Sequence, residues 1–115
     1  MELAELQQTV DQWIREYGVR YFSETTNTIV LMEEVGELSR LIARVYGEQS
    51  FKREDDEQSA SLKIAEELGD ILFVITCLAN QMEIDLTTTM KMNIAKKTKR
   101  DQRRHLDNPK LEKEE

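Results

Sequence analysis

Helix breakers are scarce in this chain. Pro109 is its single proline, and glycine stands only at positions 18, 36, 47 and 69 of 115 residues. Proline removes a backbone donor and glycine adds backbone freedom, so both interrupt regular structure. The stretches between them are long, and β-branched residues show no sustained period-two alternation. The sequence therefore predicts an all-α fold of long helices. A chain this short forms one domain and buries a limited fraction of its surface alone. We expect a four-helix, bundle-like subunit completed by oligomerisation.

The apolar spacing places four helices. Leu3, Leu6, Val10, Trp13 and Tyr17 follow a three-four rhythm, predicting a helix over about 2–17 that Gly18 ends. A second begins near Thr25 or Asn27, carries Ile29, Leu31, Val35, Leu38, Leu41, Ile42 and Val45 on its apolar side, and ends around Tyr46–Gly47. The charged segment EQSFKREDDE, residues 48–57, reads as a loop or a solvated helix extension. A third helix runs from about Ser59 to Met82, apolar on nearly every side at its centre, as in the middle of a bundle or at a subunit interface. A turn at Glu83–Asp85 leads into a fourth over about Leu86 to Arg103. From residue 105 to 115 the polar chain, with Pro109, reads as a flexible tail following a domain over residues 1–104.

Charge narrows the function. The formal net charge is -7, which argues against coating nucleic acid or an anionic membrane. Residues 1–70 hold 16 acidic and 7 basic side chains, whereas residues 71–115 hold 7 acidic and 9 basic. An acidic cluster facing a basic one suits a metal ion with a polyanionic ligand, although ordinary surface variation gives similar totals. The longest apolar run, Ile71 to Ala79, is too short to span a bilayer. The N-terminus is amphipathic and acidic, unlike a signal peptide. The default location is the cytoplasm. Cys77 is the single cysteine, and its apolar neighbours suggest a buried thiol.

The central signal is a repeated acidic motif. The second helix carries EEVGE at 33–37 and the third EELGD at 66–70. On a helix, Glu34 and Glu37 share a face, as do Glu67 and Asp70. If the helices pack antiparallel, Glu34, Glu37, Glu67 and Asp70 converge. Unpaired, they repel and raise one another's pKa values, a penalty a divalent cation removes. An all-oxygen set without histidine or thiolate favours Mg²⁺, with Mn²⁺ the alternative. Glycine inside a helix costs about 0.5–1 kcal/mol relative to alanine, so Gly36 and Gly69 suggest close approach of a backbone or ligand. A di-iron carboxylate bundle is disfavoured, because the chain has one histidine, His105, near its tail. A solvated helix face would also hold glutamate pairs, but two matched copies beside apolar stripes argue for a site.

The segments EEVGEL and EELGDILFVITCLA, together with ARVYGEQSFK, LANQMEIDL and KMNIAKKTKRD, resemble the small single-domain MazG-like nucleoside triphosphate pyrophosphohydrolases over roughly Arg20 to Arg104. The family's spacing of glutamates and aspartate is matched at Glu33, Glu34, Glu37, Glu67 and Asp70, with a long connection of 29 residues between Glu37 and Glu67. The resemblance implies Mg²⁺-dependent hydrolysis of nucleoside or deoxynucleoside triphosphates to monophosphate and pyrophosphate, as house-cleaning of non-canonical nucleotides. It implies a homodimer or homotetramer, with Glu34, Glu37, Glu67 and Asp70 as metal ligands. Glu33 or Glu66 would orient the attacking water or take its proton, and Glu33 has the better claim because it belongs to the family pattern.

The basic stretch Lys91 to Arg104 holds seven basic residues against Asp101 alone. Lys96, Lys97 and Arg100 are the phosphate candidates by spacing, and the resemblance singles out Lys96 and adds Asn93. A solvated helix whose cations complement its dipole is the competing reading. Trp13 would stack on a base or close the bundle, and Asn27 would bind nucleotide or cap the second helix. No GxxxxGK phosphate loop is present. The rival function is a non-catalytic helical oligomer that interacts with partners or senses nucleotide.

Overall fold

The computed structural model describes residues 1–48, 50, 58–102 and 104–111, and these contain four α-helices and no strand. The first, α1, spans Leu3–Trp13 and widens into a π-helical turn over Ile14–Gly18. Next come α2 over Glu24–Val45, α3 over Ala60–Gln81 and α4 over Leu86–Asp101. The all-α expectation is met, with boundaries shifted for local reasons. Helix α2 begins earlier than the apolar pattern suggested, because Ser23 caps it: the Ser23 hydroxyl oxygen accepts the Thr26 N–H at 3.2 Å. Asn27 therefore lies a full turn inside the helix and is not its cap. Asp85 caps α4, accepting the Thr87 N–H at 3.3 Å and the Thr88 hydroxyl at 2.6 Å.

Gly47 follows the end of α2, where a Cβ would lie 2.5 Å from the Ala43 carbonyl oxygen, so the position is fitted to glycine. A Cβ at Gly36 or Gly69 would meet nothing within 4 Å among the described residues, so neither serves close packing between the described helices. Of the charged connection at 48–57, only Glu48 and Ser50 fall among the described residues; the far end of the tail, 112–115, and Arg103 also lie outside them.

Helices α2 and α3 pair along their length, and α1 lies against α3. Val10, Ile14 and Cys77 form a buried cluster with Leu6, Tyr21 and Phe73 packed on it. Cys77 is buried as its neighbours suggested, and burial pushes its thiol up to about 11. A polar seam fixes α1 against the α3–α4 turn. Gln7 Nε2 donates to Asn80 Oδ1 at 3.1 Å and to the Ile84 carbonyl at 2.8 Å, Gln7 Oε1 accepts the Leu86 N–H at 2.9 Å, and Asn80 Nδ2 donates to the Gln7 carbonyl at 2.9 Å.

The fourth helix has no buried residue, and its main packing is against α1. Met32, Val35 and Ile42 on α2, with Leu68, Leu72 and Ile75 on α3, stay exposed. The radius of gyration is 18.1 Å, well above the roughly 13 Å of a compact domain this long. No helix among the described residues is long and apolar enough to cross a membrane.

Candidate active site

The α2–α3 pairing converts two sequence motifs into one cluster. Carboxylate oxygens of Glu34, Glu67 and Asp70 all lie within 4.8 Å of one another. Glu67 Oε2 is sealed from solvent and has no hydrogen-bond partner among the described residues. The adjacent Glu34 carboxyl, burial, and the neighbouring charges of Glu34, Asp70 and Glu37 push the Glu67 acid up to about 7. The expected convergence thus occurs for three of the four acids. Glu37 is close enough to add to the field on Glu67, but its own Oε2 accepts from Arg40 at 3.3 Å on the exposed face of α2. Glu33 and Glu66 are exposed and stand outside the three-acid group.

The donor set fits a hard divalent cation: three clustered carboxylates, one with an orphaned buried oxygen, and no nitrogen or sulfur donor among the grouped residues.

A cavity of about 420 Å³ opens beside the acids, with Glu34 and Asp70 in its wall. Its remaining lining is mostly apolar and aromatic, including Trp13, Phe22, Val30, Phe73, Val74 and Cys77. Trp13 meets Phe73 edge-to-face at 5.7 Å and 90°, and lies 5.9 Å from Tyr17. Both proposed roles of Trp13 are thus compatible with its place: it packs on α3, yet is 48% exposed and faces the cavity.

Asn27 also lines the cavity, but its amide N–H groups are committed. They donate to Gln81 Oε1 at 2.8 Å and to the Phe22 carbonyl at 3.4 Å, and the residue is buried. Tyr21 donates its hydroxyl to Asp11 Oδ1 at 2.6 Å and accepts from Asn80 Nδ2 at 3.1 Å. Burial and the Asp11 carboxylate push Tyr21 up to about 12. Hydrogen bonds from Arg15 and Tyr21 hold Asp11 below the usual carboxylate range.

No described α4 residue lines this cavity. Asn93 is half-buried on α4, Lys96 is exposed, and Lys97 borders a separate shallow recess with Ile94, Thr98, Asp101 and His105. Arg100 is paired with Asp101, its Nη2 lying 2.8 Å from Asp101 Oδ2. The cavity residues absent from the motif reading include Arg20, on the loop after the π-helical turn, and the apolar Ile14, Val30, Phe73, Val74 and Cys77. The apolar five looked like ordinary core, and nothing in the local pattern marked the loop.

The MazG nucleotide pyrophosphohydrolase domain matches residues 22–105. YpjD of Bacillus subtilis strain 168, described as uncharacterised, is 39% identical over 84 residues, covering 73% of this chain and 72% of YpjD. YvdC of the same strain, also described as uncharacterised, is 31% identical over 104 residues, covering 87% and 96%. Among solved structures, a Bacillus-conserved MazG protein described as a nucleotide pyrophosphohydrolase superposes with a TM-score of 0.69 at 35% identity, over 84% of this chain and 88% of that one. The crystal structure of Bacillus subtilis YpjD gives 0.71 at 35% identity, over 84% and 94%. On its acid cluster, its helical fold and these likenesses, the chain belongs to the MazG nucleotide pyrophosphohydrolase family, a family of hydrolases.

Proposed function

We propose that this protein hydrolyses nucleoside or deoxynucleoside triphosphates to monophosphate and pyrophosphate, with Mg²⁺ (or Mn²⁺) at the acid cluster. The observation that carries the reading is the close grouping of Glu34, Glu67 and Asp70, whose mutual repulsion a cation would relieve, beside an aromatic cavity. Glu34, Glu67 and Asp70 would hold the cation, with Glu37 nearby. Bound there, it supplies screening of the triphosphate charge and polarisation of phosphate oxygens.

The chain's own groups supply the rest. Water attacks the α-phosphorus, the bond to the oxygen bridging the α- and β-phosphorus atoms breaks, and pyrophosphate leaves with that oxygen. Glu33 or Glu66 takes the proton of the attacking water. Trp13, Phe22 and Phe73 offer apolar faces for the base. The three acids would also lose their mutual repulsion when ligated, so substrate capture and local stability are coupled.

The exposed apolar residues of α2 and α3 support association of two or more copies, since a monomer rarely leaves so many large side chains in water. Assembly would also give Asn93, Lys96, Lys97 and Arg100 a route to phosphate, because no α4 side chain lines the cavity of its own chain. Residues 1–104 act as one domain in this reading, in the cytoplasm, on free nucleotides that include non-canonical ones.

The test is a Mg²⁺-supplemented panel of canonical and modified triphosphates, reading pyrophosphate and monophosphate. Turnover is expected, and Asp70→Asn should abolish it with helicity intact. No turnover across the panel, with nucleotide binding and assembly retained, would instead support a nucleotide-sensing oligomer.

A further inference from the structure

The π-helical turn ends in an unusual backbone reversal. Val19 has φ 70° and ψ −57°, and the Arg20 N–H donates to the Gly18 carbonyl at 2.8 Å. This is the strained γ-turn, with a β-branched residue at its centre. Burial of Val19 does not compensate the strain, because its side chain is 86% exposed. The turn sends the next three residues back over the cavity, where Arg20, Tyr21 and Phe22 all enter its wall. Downstream bonds hold them there: Tyr21 to Asp11, and Gln81 Nε2 to the Phe22 carbonyl at 2.8 Å.

Among the described residues, Arg20 is the only cationic side chain lining the cavity. Its Nη1 donates to the Tyr21 carbonyl at 2.9 Å, and among the described residues it has no carboxylate partner. It does not reach across to Glu34 or Asp70. The loop end of the cavity, with Asn27 and Cys77, is seven residues along α2 and α3 from those acids, about 10 Å at the rise of a helix. With the cation and phosphates at the acid end, the loop end receives the base. Both Asn27 amide N–H groups are already used there, and Tyr21 donates to Asp11. The guanidinium is therefore the charged donor left to read a base edge.

We propose that Arg20 is a specificity-determining residue that selects bases presenting a carbonyl, over those presenting an amino group, at the position facing the loop. Arginine carries donors and no acceptor. An oxopurine offers it the O6 and N7 acceptors together, and uracil offers O4. Adenine and cytosine place an amino donor at the same point, leaving two donors face to face. This inference rests on the nucleotide reading above.

The experiment measures quenching of Trp13, the single tryptophan of the chain, by inosine, adenosine, uridine and cytidine. Neither metal nor phosphate is present, so the base end is read alone. Inosine and uridine should bind about tenfold more tightly than adenosine and cytidine. Arg20→Ala should erase the difference, and Arg20→Lys, which keeps the charge but loses the planar fork, should restore only part of it. Equal binding within each pair, a preference that survives Arg20→Ala, or no quenching by any nucleoside overturns the proposal.

A second arm follows Mg²⁺-dependent turnover of the four corresponding triphosphates. Arg20→Ala should raise KM for the two carbonyl-bearing substrates and leave kcat unchanged. An equal loss on all four would place the guanidinium on the phosphates and overturn the proposal. Nucleoside preference without any turnover would sink the hydrolase reading and leave this one standing.

Discussion

Glu67 shows how a single side chain couples pH, metal and fold. The neighbouring carboxylates and burial push its acid from the ordinary 4.5 up to about 7 in the folded, metal-free protein. Across that window the folded chain holds the proton more tightly than the unfolded one, so stability falls as pH rises from about 4.5 to about 7 and then levels off. Thermal melts of the metal-free protein should show this decline, and Mg²⁺ should recover stability at pH 8 far more than at pH 5. Glu67→Gln should flatten the decline, raise the metal-free melting temperature at pH 8, and abolish both the Mg²⁺ response and turnover. A Glu67→Gln protein that keeps the Mg²⁺ response would remove this residue from the metal site. Tyr21 makes a separate prediction. Tyr21→Phe loses the bonds to Asp11 and Asn80 and should cost about 1–2 kcal/mol in chemical denaturation.

The elements show what the sequence carried and what it withheld. Helix positions followed from apolar spacing and from few breakers, and the matched acidic motifs met because antiparallel pairing sets residues 34, 67 and 70 side by side. Those signals are periodic, so they survive without knowledge of tertiary contacts. The γ-turn at Val19 has no such signal. Valine disfavours positive φ, so the local sequence argued against the conformation that the Tyr21 and Gln81 bonds hold in place. Arg20 was invisible as a site residue for the same reason. The α4 cations share helix faces as their spacing implies, and α4 packs on α1, so none of them lines the cavity of its own chain. Two substitutions test the punctuation. Val19→Gly should relieve the strained turn and stabilise the fold by about 1 kcal/mol. Gly47→Ala forces a Cβ against the Ala43 carbonyl and should destabilise by about 1–3 kcal/mol. Calorimetric melts of both variants against the parent should move in opposite directions.

As a whole molecule, the chain is open rather than closed. Its extents are 51 × 46 × 26 Å, and two long helices each keep an apolar flank in water. Leu68, Leu72 and Ile75 lie at four- and three-residue spacing on α3, so they form one apolar stripe along an exposed helix face. Leu72→Glu, which touches none of the three clustered acids, should shift the protein toward monomer in sedimentation. If sedimentation finds the parent chain monomeric at micromolar concentration, association is not what covers this flank. The glycines at 36 and 69, where an added Cβ would meet nothing within 4 Å among the described residues, belong to the same question, since they leave helix backbone bare in both acidic motifs.

The widened turn at Ile14–Gly18 has a consequence for how this protein tolerates change in length. A π-helical turn closes i→i+5 where an α-helix closes i→i+4, so it absorbs one surplus residue without turning its flanks. Removing an exposed position of this turn, Arg15 or Glu16, would return the segment to ordinary winding with little change of phase. Gln7 would stay on Asn80 and Ile84, and Val10 would stay on Cys77. A single-residue deletion here should therefore be tolerated far better than one inside Leu3–Trp13, which would turn everything before it by about 100°. The N-terminal helix carries its slack in residue count at its C-terminal end.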